Sequence, residues 1–240
     1  MGPIGIIAGT VFIEDKGIFS GWEQRIEENE YGRALVFLSR RAILIPRHGN
    51  DPATHILPHE INHRANLTVL KDLGAREVIS VNSTGSLKIV LAPGTLVVPD
   101  DFILFSSHST TIRSKAIHHT PGFSEAVRQR WIRAAREIGI DVVTSGTYWQ
   151  TTGPRLETRA EIRMMAQFAD LVGMTMASEA VIAQELDLPY GALCSVDNFA
   201  NGLTDTPLTM EKILSHARQN AERARSVTER YVTLAASEGP

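Results

Sequence analysis

Gly153-Pro-Arg-Leu-Glu-Thr-Arg-Ala-Glu161 stands between an apolar, β-branched run, Val142 to Tyr148, and an amphipathic one, Ile162 to Phe168. Gly153-Pro154 reads as a turn. Thr158 and Glu161 have the Thr-x-x-Glu spacing of a capping box, in which two side chains satisfy free amides at a helix start. The stretch therefore predicts strand, turn and helix in succession. Glu157 falls just past the strand and just ahead of the helix. In open α/β sheets that edge is where ligands bind. A carboxylate there is either an ordinary helix-start charge or a hydrogen-bond acceptor aimed at a ligand.

Upstream, the same alternation repeats. Ile4 to Ala8 is a short apolar run ending in Gly9-Thr10. It is either a plain buried strand and turn or a strand end whose amides and hydroxyl meet an anion. Residues 14 to 33 are polar and read as surface connection. Ala34 to Leu38 and Ala42 to Pro46 read as a hairpin around Ser39-Arg40-Arg41. Its second strand ends in Arg47-His48: a fork of donors suited to an anion, or simply a surface Arg and a loop His. His59 and His63 have the i, i+4 spacing of a helical metal pair, with Glu60 beside the first, but Pro58 breaks the approach from His55 and no metal is expected. Pro58 to Leu73 reads as a helix closed by Gly74. Val78 to Val81 reads as a buried strand, and Asn82-Ser-Thr-Gly-Ser86 as a polar turn or a cradle for phosphate or sugar oxygens. Thr95 to Phe105 is β-rich, interrupted at Pro99-Asp-Asp101. Ser106 to Pro121 is irregular, and Ser124 to Ile138 is an amphipathic helix.

Downstream, Ala169 to Met174 reads as a strand, Ser178 to Leu186 as a helix and Gly191 to Val196 as a strand. Asp197, Asn198 and Asn201 follow it, as turn formers or as a hydrogen-bonding edge for a polar heterocycle. Thr209 caps a last helix to about Val232. Met174, Met176, Met210, Ile213 and Leu214 read most simply as core.

The 240 residues, 43% hydrophobic, suffice for one sizeable core, and residues 1–240 are assigned to a single α/β domain with one central sheet and one ligand cleft. Net charge is −3 and the 24 basic residues form no run, which argues against nucleic acid as a partner. Cys194 is the only cysteine, so no intrachain disulfide forms and a reducing compartment is expected. The run at Ile4 is too short for a signal segment and no stretch approaches the roughly 20 apolar residues of a membrane span, so a cytoplasmic protein is expected.

The ordered set of segments resembles the purine nucleoside phosphorylase family, in its trimeric branch with methylthioadenosine phosphorylase. The matching segments are Ile4-Gly-Ile-Ile-Ala-Gly-Thr10, Pro46-Arg-His-Gly49, His59-Glu-Ile-Asn-His-Arg-Ala-Asn66, Ser83-Thr-Gly-Ser-Leu87, Pro93-Gly94, Gly153-Pro-Arg-Leu-Glu-Thr158, Ala160-Glu161, Gly173-Met-Thr175 and Asp197-Asn198. The resemblance implies a central mixed, partly barrel-like sheet flanked by helices. It implies reversible phosphorolysis of a purine nucleoside, with no cofactor and with inorganic phosphate as co-substrate. Thr10, Arg47, His48, Ser83 and Thr175 would hold phosphate. Met174 would lie under the ribose, and Glu157 and Asn198 would hold the base, with Asn198, Glu157 and His48 carrying the chemistry. A homotrimer or dimer of trimers is implied, with the Ser106 to Pro121 region completing a neighbour's site.

Within that family, 6-oxopurine enzymes carry Glu and Asn at the two base positions, as Glu157 and Asn198 do here. The methylthioadenosine enzymes carry Ser and Asp, with a further Asp where this chain has Ala200. At the start of the last helix, Met210 stands where enzymes for ordinary nucleosides place a His, with Ile213 and Leu214 behind it. An apolar wall suits a 5′-methylthio group. The combination implies 5′-methylthioinosine. The alternatives are a methylthioadenosine phosphorylase, a general inosine/guanosine phosphorylase, a hydrolytic nucleosidase, and a nucleoside-binding protein without catalysis. Asp197 departs from a common Thr, and Leu156 from a common aromatic.

Overall fold

Strand β1, Ile4–Ala8, is buried at every position. A short strand with no polar face must lie inside a sheet, between parallel neighbours and covered on both sides. Its neighbours are β4, Ala42–Pro46, and β5, Glu77–Ser86, both parallel. The computed structural model describes residues 2–9, 21–50, 54–106, 109–114, 118–205 and 208–238, the side chain of Met210 excepted.

The other strands are β2 (Glu23–Asn29), β3 (Gly32–Leu38), β6 (Leu96–Val97), β7 (Asp101–Leu104), β8 (Thr147–Gln150), β9 (Leu171–Gly173) and β10 (Tyr190–Phe199). The helices are α1 (His63–Asp72), α2 (Glu125–Glu137), α3 (Arg159–Met165), α4 (Met176–Glu185) and α5 (Met210–Ser237). The mixed sheet runs β2-β3-β4-β1-β5-β9-β8-β7, with β10 paired to β5 and β6 to β10. Side chains of β1 alternate between its faces, as the two-residue period of a strand requires. Ile4 and Ile6 pack with Trp131 of α2 and Val227 and Tyr231 of α5. Ile7 packs with Leu67 and Leu70 of α1 and Met176 and Ala180 of α4.

One feature of the pairing decides where a ligand can go. β10 covers one edge of β5 from Val78 to Ser86. On the opposite edge β1 pairs only as far as Val81, and antiparallel β9 begins only at Gly85. Among the described residues, therefore, no strand lies beside Asn82, Ser83 and Thr84 on that edge. This is a switch point, where strands diverge and leave a crevice at their carboxyl ends.

Several elements differ from the sequence expectation. The described part of residues 14 to 33 forms β2 and the start of β3. β2 is mostly exposed, so it lacks the apolar alternation that marks a strand. The β3–β4 hairpin is present, yet β3 pairs chiefly with β2. The helix expected from Pro58 begins at His63, capped by Asn62, after a separate 3-10 turn at Pro58–Glu60. The polar stretch Asn82–Ser86 continues β5. The strand expected from Val142 starts at Thr147, with Val143 making only an isolated bridge to Val97. β10 extends to Phe199 and α5 to Ser237. At Thr158 the capping box forms as its spacing requires: Thr158 accepts from Glu161 N–H at 3.2 Å, and Glu161 accepts from Thr158 N–H at 2.7 Å.

Candidate functional site

The crevice beside Asn82–Thr84 is a cavity of about 400 Å³. Arg47, His48, Ser83, Glu157, Met174, Thr175, Asn198, Ile213 and Leu214 all line it. Thr10 lies outside the described residues, although Gly9 before it is on the wall. Met210 opens α5, and its side chain is likewise outside them. Ala200 is not part of the wall; it is buried with Leu87, Trp149 and Val172 in a small apolar cluster.

At one end, Arg47 follows β4 and is 3% exposed. Its Nη1 donates to Val81 O and its Nη2 to Ile7 O, each at 3.0 Å. Its Nε lies 2.9 Å from Glu179 Oε1. The planar fork is thus turned inward, joining β4, β1, β5 and α4. What Arg47 presents to an anion is charge and one remaining Nη1–H, rather than the open bidentate fork that Arg-His suggests in sequence. Burial pushes the Glu179 carboxyl up, and the Arg47 guanidinium opposes it.

His48 Nδ1 lies 2.8 Å from Ile56 O, so Nδ1 carries the proton and Nε2 is left as an acceptor. Burial and then the Arg47 charge lower its pKa to about 4. His55 stacks on its ring at a centroid distance of 4.7 Å. Among the described residues, no group of three or more His, Cys, Asp or Glu side chains could hold a metal ion. His59 is exposed on the 3-10 turn while His63 is buried in α1, so the pair does not converge.

Thr175 precedes α4. Its N–H donates to Tyr148 OH at 3.2 Å and its hydroxyl to Asn82 Oδ1 at 3.3 Å. Gln150 takes the Ser178 amide at 3.0 Å. Two side chains of β8 thereby cap α4 and fix Thr175 at the cavity edge.

At the other end, Glu157 is 7% exposed. Its Oε1 accepts from Thr151 Oγ1 at 2.7 Å, and its carbonyl accepts from Asn201 Nδ2 at 2.9 Å. The turn before it needs Gly153, whose φ is 68° and whose Cβ position would lie 2.6 Å from Met174 Sδ. Asp197 and Asn198, although consecutive on a strand, both reach the cavity. The register of β10 slips between Val196 and Asn198, and such a bulge re-aims neighbouring side chains. Asp197 Oδ1 accepts from Ser195 Oγ at 2.5 Å and Asn220 Nδ2 at 2.8 Å, so its carboxylate is tied toward α5. Asn198 Nδ2 donates to Phe199 O at 2.9 Å, which leaves one amide proton and Oδ1 without a partner among the described residues. Along the third side, α5 offers Ile213, Leu214, Ala217 and Ala221.

The sequence reading missed Glu179, Tyr148, Thr151 and the Asp197–Asn220 link. Glu179 had a usable signal: a lone charge inside the apolar run Met176 to Ala183, where a fully buried acid requires a partner. The others depend on which strands lie side by side, which local spacing does not encode.

The cavity thus has an anion-compatible end, a polar edge combining a carboxylate with an amide, and an apolar side. Residues 3–233 match the family described as Phosphorylase superfamily. The chain is 41% identical over 234 residues to a "Probable 6-oxopurine nucleoside phosphorylase" of Archaeoglobus fulgidus, covering 95% of each chain. It is 34% identical to a "Probable S-methyl-5'-thioinosine phosphorylase" of Methanocaldococcus jannaschii, covering 95% of this chain and 91% of that one. Among solved structures, methylthioadenosine phosphorylase from Schistosoma mansoni, in complex with adenine, superposes with a TM-score of 0.89 at 27% identity, over 100% of this chain and 93% of that one.

Proposed function

Since the chain belongs to the phosphorylase superfamily, we propose that it catalyses reversible phosphorolysis of a 6-oxopurine nucleoside, preferably 5′-methylthioinosine, giving the free base and 5-methylthioribose 1-phosphate. The observation that carries the reading is the joint presence, in one cavity, of the Glu157 carboxylate, the Asn198 amide and the apolar face of α5. Glu157 has one oxygen engaged by Thr151 and, among the described residues, none donating to the other. That oxygen suits the N1–H of a 6-oxopurine and opposes the N1 lone pair of a 6-aminopurine.

In this reading phosphate lies between His48, Ser83 and Thr175. Neutral His48 accepts a phosphate O–H at Nε2, and the Ser83 and Thr175 hydroxyls donate to other oxygens, Thr175 exchanging its bond to Asn82 Oδ1 for one to phosphate. Arg47 adds positive charge that Glu179 partly offsets. A phosphate oxygen attacks C1′ as the bond to N9 breaks, so positive charge grows on the sugar and negative charge on the purine. The free Asn198 proton donates to N7 while Glu157 holds N1–H, and bonds that strengthen with the developing charge lower the barrier. Met174 underlies the ribose, and Ile213 and Leu214 face the methylthio group. Phosphate is the co-substrate and no cofactor is needed.

A second reading, methylthioadenosine phosphorolysis, is favoured by Asp197 on the same wall. Against it, one oxygen of that carboxylate is engaged by Ser195 and Asn220, and the Ser83 hydroxyl bonds the same group. Replacing Asn198 by Asp tests the base edge: activity moves toward 6-amino substrates if Asn198 reads the base, and an unmoved substrate ratio overturns the assignment. Base release that persists without phosphate would indicate a nucleosidase.

The reading extends to a homotrimer or dimer of trimers in the cytoplasm, serving purine salvage. Exposed apolar side chains at Ile89, Val90, Phe105 and Phe168 support self-association. No helix among the described residues is long and apolar enough to cross a membrane.

A further inference from the structure

We propose that Thr151 is a positioning residue that sets the base selectivity of Glu157. The inference rests on the reading of Glu157 as the carboxylate that meets the purine. Thr151 directly follows β8, and its own N–H is fixed to Gly173 O at 2.8 Å. Its hydroxyl has a single proton and two acceptors in range: Glu157 Oε1 at 2.7 Å and Gly173 O at 3.4 Å. The shorter contact, to a carboxylate, is the stronger. At the other end of the residue, Asn201 holds the Glu157 carbonyl at 2.9 Å. Glu157 is therefore clamped through its main chain and through one carboxylate oxygen. Only Oε2 is left to meet a ligand.

The clamp has a consequence for selectivity. The terminal torsion of a Glu side chain is broad, so an unclamped carboxylate can turn and offer either oxygen. A turned carboxylate can accept from the exocyclic amine of a 6-aminopurine and avoid its N1 lone pair. With Oε1 held by Thr151, the carboxylate is fixed in one orientation, and the 6-amino base meets an acceptor opposite an acceptor. Thr151 and Glu157 also share the wall of a neighbouring cavity of about 330 Å³ with Phe105 and Trp149. Removing the hydroxyl leaves Oε1 facing that space, where water can solvate it.

The test uses the full chain and four variants: Thr151→Val, Thr151→Ser, Glu157→Gln and the Thr151→Val/Glu157→Gln double. The readouts are kcat/KM for methylthioinosine and for methylthioadenosine, the KM for phosphate, and the unfolding midpoint. Thr151→Val is expected to lower the methylthioinosine to methylthioadenosine ratio by roughly 10- to 100-fold, the range of a hydrogen bond to a charged group. The phosphate KM and the unfolding midpoint stay near wild type, and Thr151→Ser restores the ratio. In the Glu157→Gln background, Thr151→Val changes the ratio no further, because both substitutions remove one coupled unit. A wild type that prefers methylthioinosine, with an unmoved ratio in Thr151→Val or additive effects in the double variant, overturns the role of Thr151 alone. A wild type without that preference overturns the reading of Glu157, and the proposal with it.

Discussion

Arg47 and Glu179 form an ion pair at the floor of the cavity, with Nε 2.9 Å from Oε1 and side chains 2% and 0% exposed. The pair is embedded in further bonds: Tyr190 OH donates to Glu179 Oε2 at 2.9 Å and lies 2.5 Å from Ser80 Oγ. One guanidinium thereby ties three parallel strands to α4 just where phosphate would sit. Losing one member of a buried pair leaves the other charge uncompensated, which costs more than the pair itself contributes.

Glu179→Gln should therefore destabilise the protein by about 3–5 kcal/mol. The check is urea unfolding at neutral pH. A loss within a few tenths of a kcal/mol would mean that water or relaxed packing solvates Arg47.

Acid should weaken the fold through its buried histidines. Burial, and then the charges of Arg47 and His48, lower the pKa of His63 from 6.5 to about 3, while that of His48 falls to about 4. Between these values and 6.5 the unfolded chain binds more protons than the folded one. Stability is thus fully present above pH 6.5 and is lost as pH falls through that window, for His63 by at most about 1.4 kcal/mol per pH unit. Unfolding midpoints measured from pH 7 to 5 test this, and His63→Leu should flatten the slope.

Thr158→Ala removes one half of the capping box and should cost about 1 kcal/mol. Arg155 holds the Glu161 carboxyl down to about 2, so the other half persists in mild acid. Because α3 fixes the turn that carries Glu157, the nucleoside KM should rise while the phosphate KM stays unchanged. Equal rises in both would indicate a general loss of structure.

Ile213→Asn places a polar group on the apolar side of the cavity. The ratio of kcat/KM for methylthioinosine to that for inosine should fall by roughly 10-fold or more, the scale of a lost apolar contact together with a gained hydroxyl partner. Initial rates with the two substrates give the ratio directly.

Much of this arrangement was legible in the sequence. Ile4 to Ala8 read as a buried strand because it has no polar position, and Thr158 with Glu161 fixed a helix start because a cap is a local contact. Glu157 and Asn198 stood out as polar residues at strand ends. β2 was not legible, since an edge strand exposed along most of its length needs no apolar period. The inward turn of Arg47 was hidden for another reason: its partners Ile7, Val81 and Glu179 lie 40, 34 and 132 residues away. The bulge at Asp197 belongs to the same class, because its register depends on β5. Spacing identifies caps and periods; it does not say which strands meet.

The central claim is that Glu157, Asn198 and the face of α5 select a 6-oxo base and a 5′-methylthio sugar for attack by phosphate. The most direct measurement compares initial rates on methylthioinosine, methylthioadenosine and inosine, each with and without phosphate. The account predicts phosphate-dependent release of hypoxanthine, with the highest kcat/KM for methylthioinosine. Faster turnover of methylthioadenosine, or base release without phosphate, would contradict it.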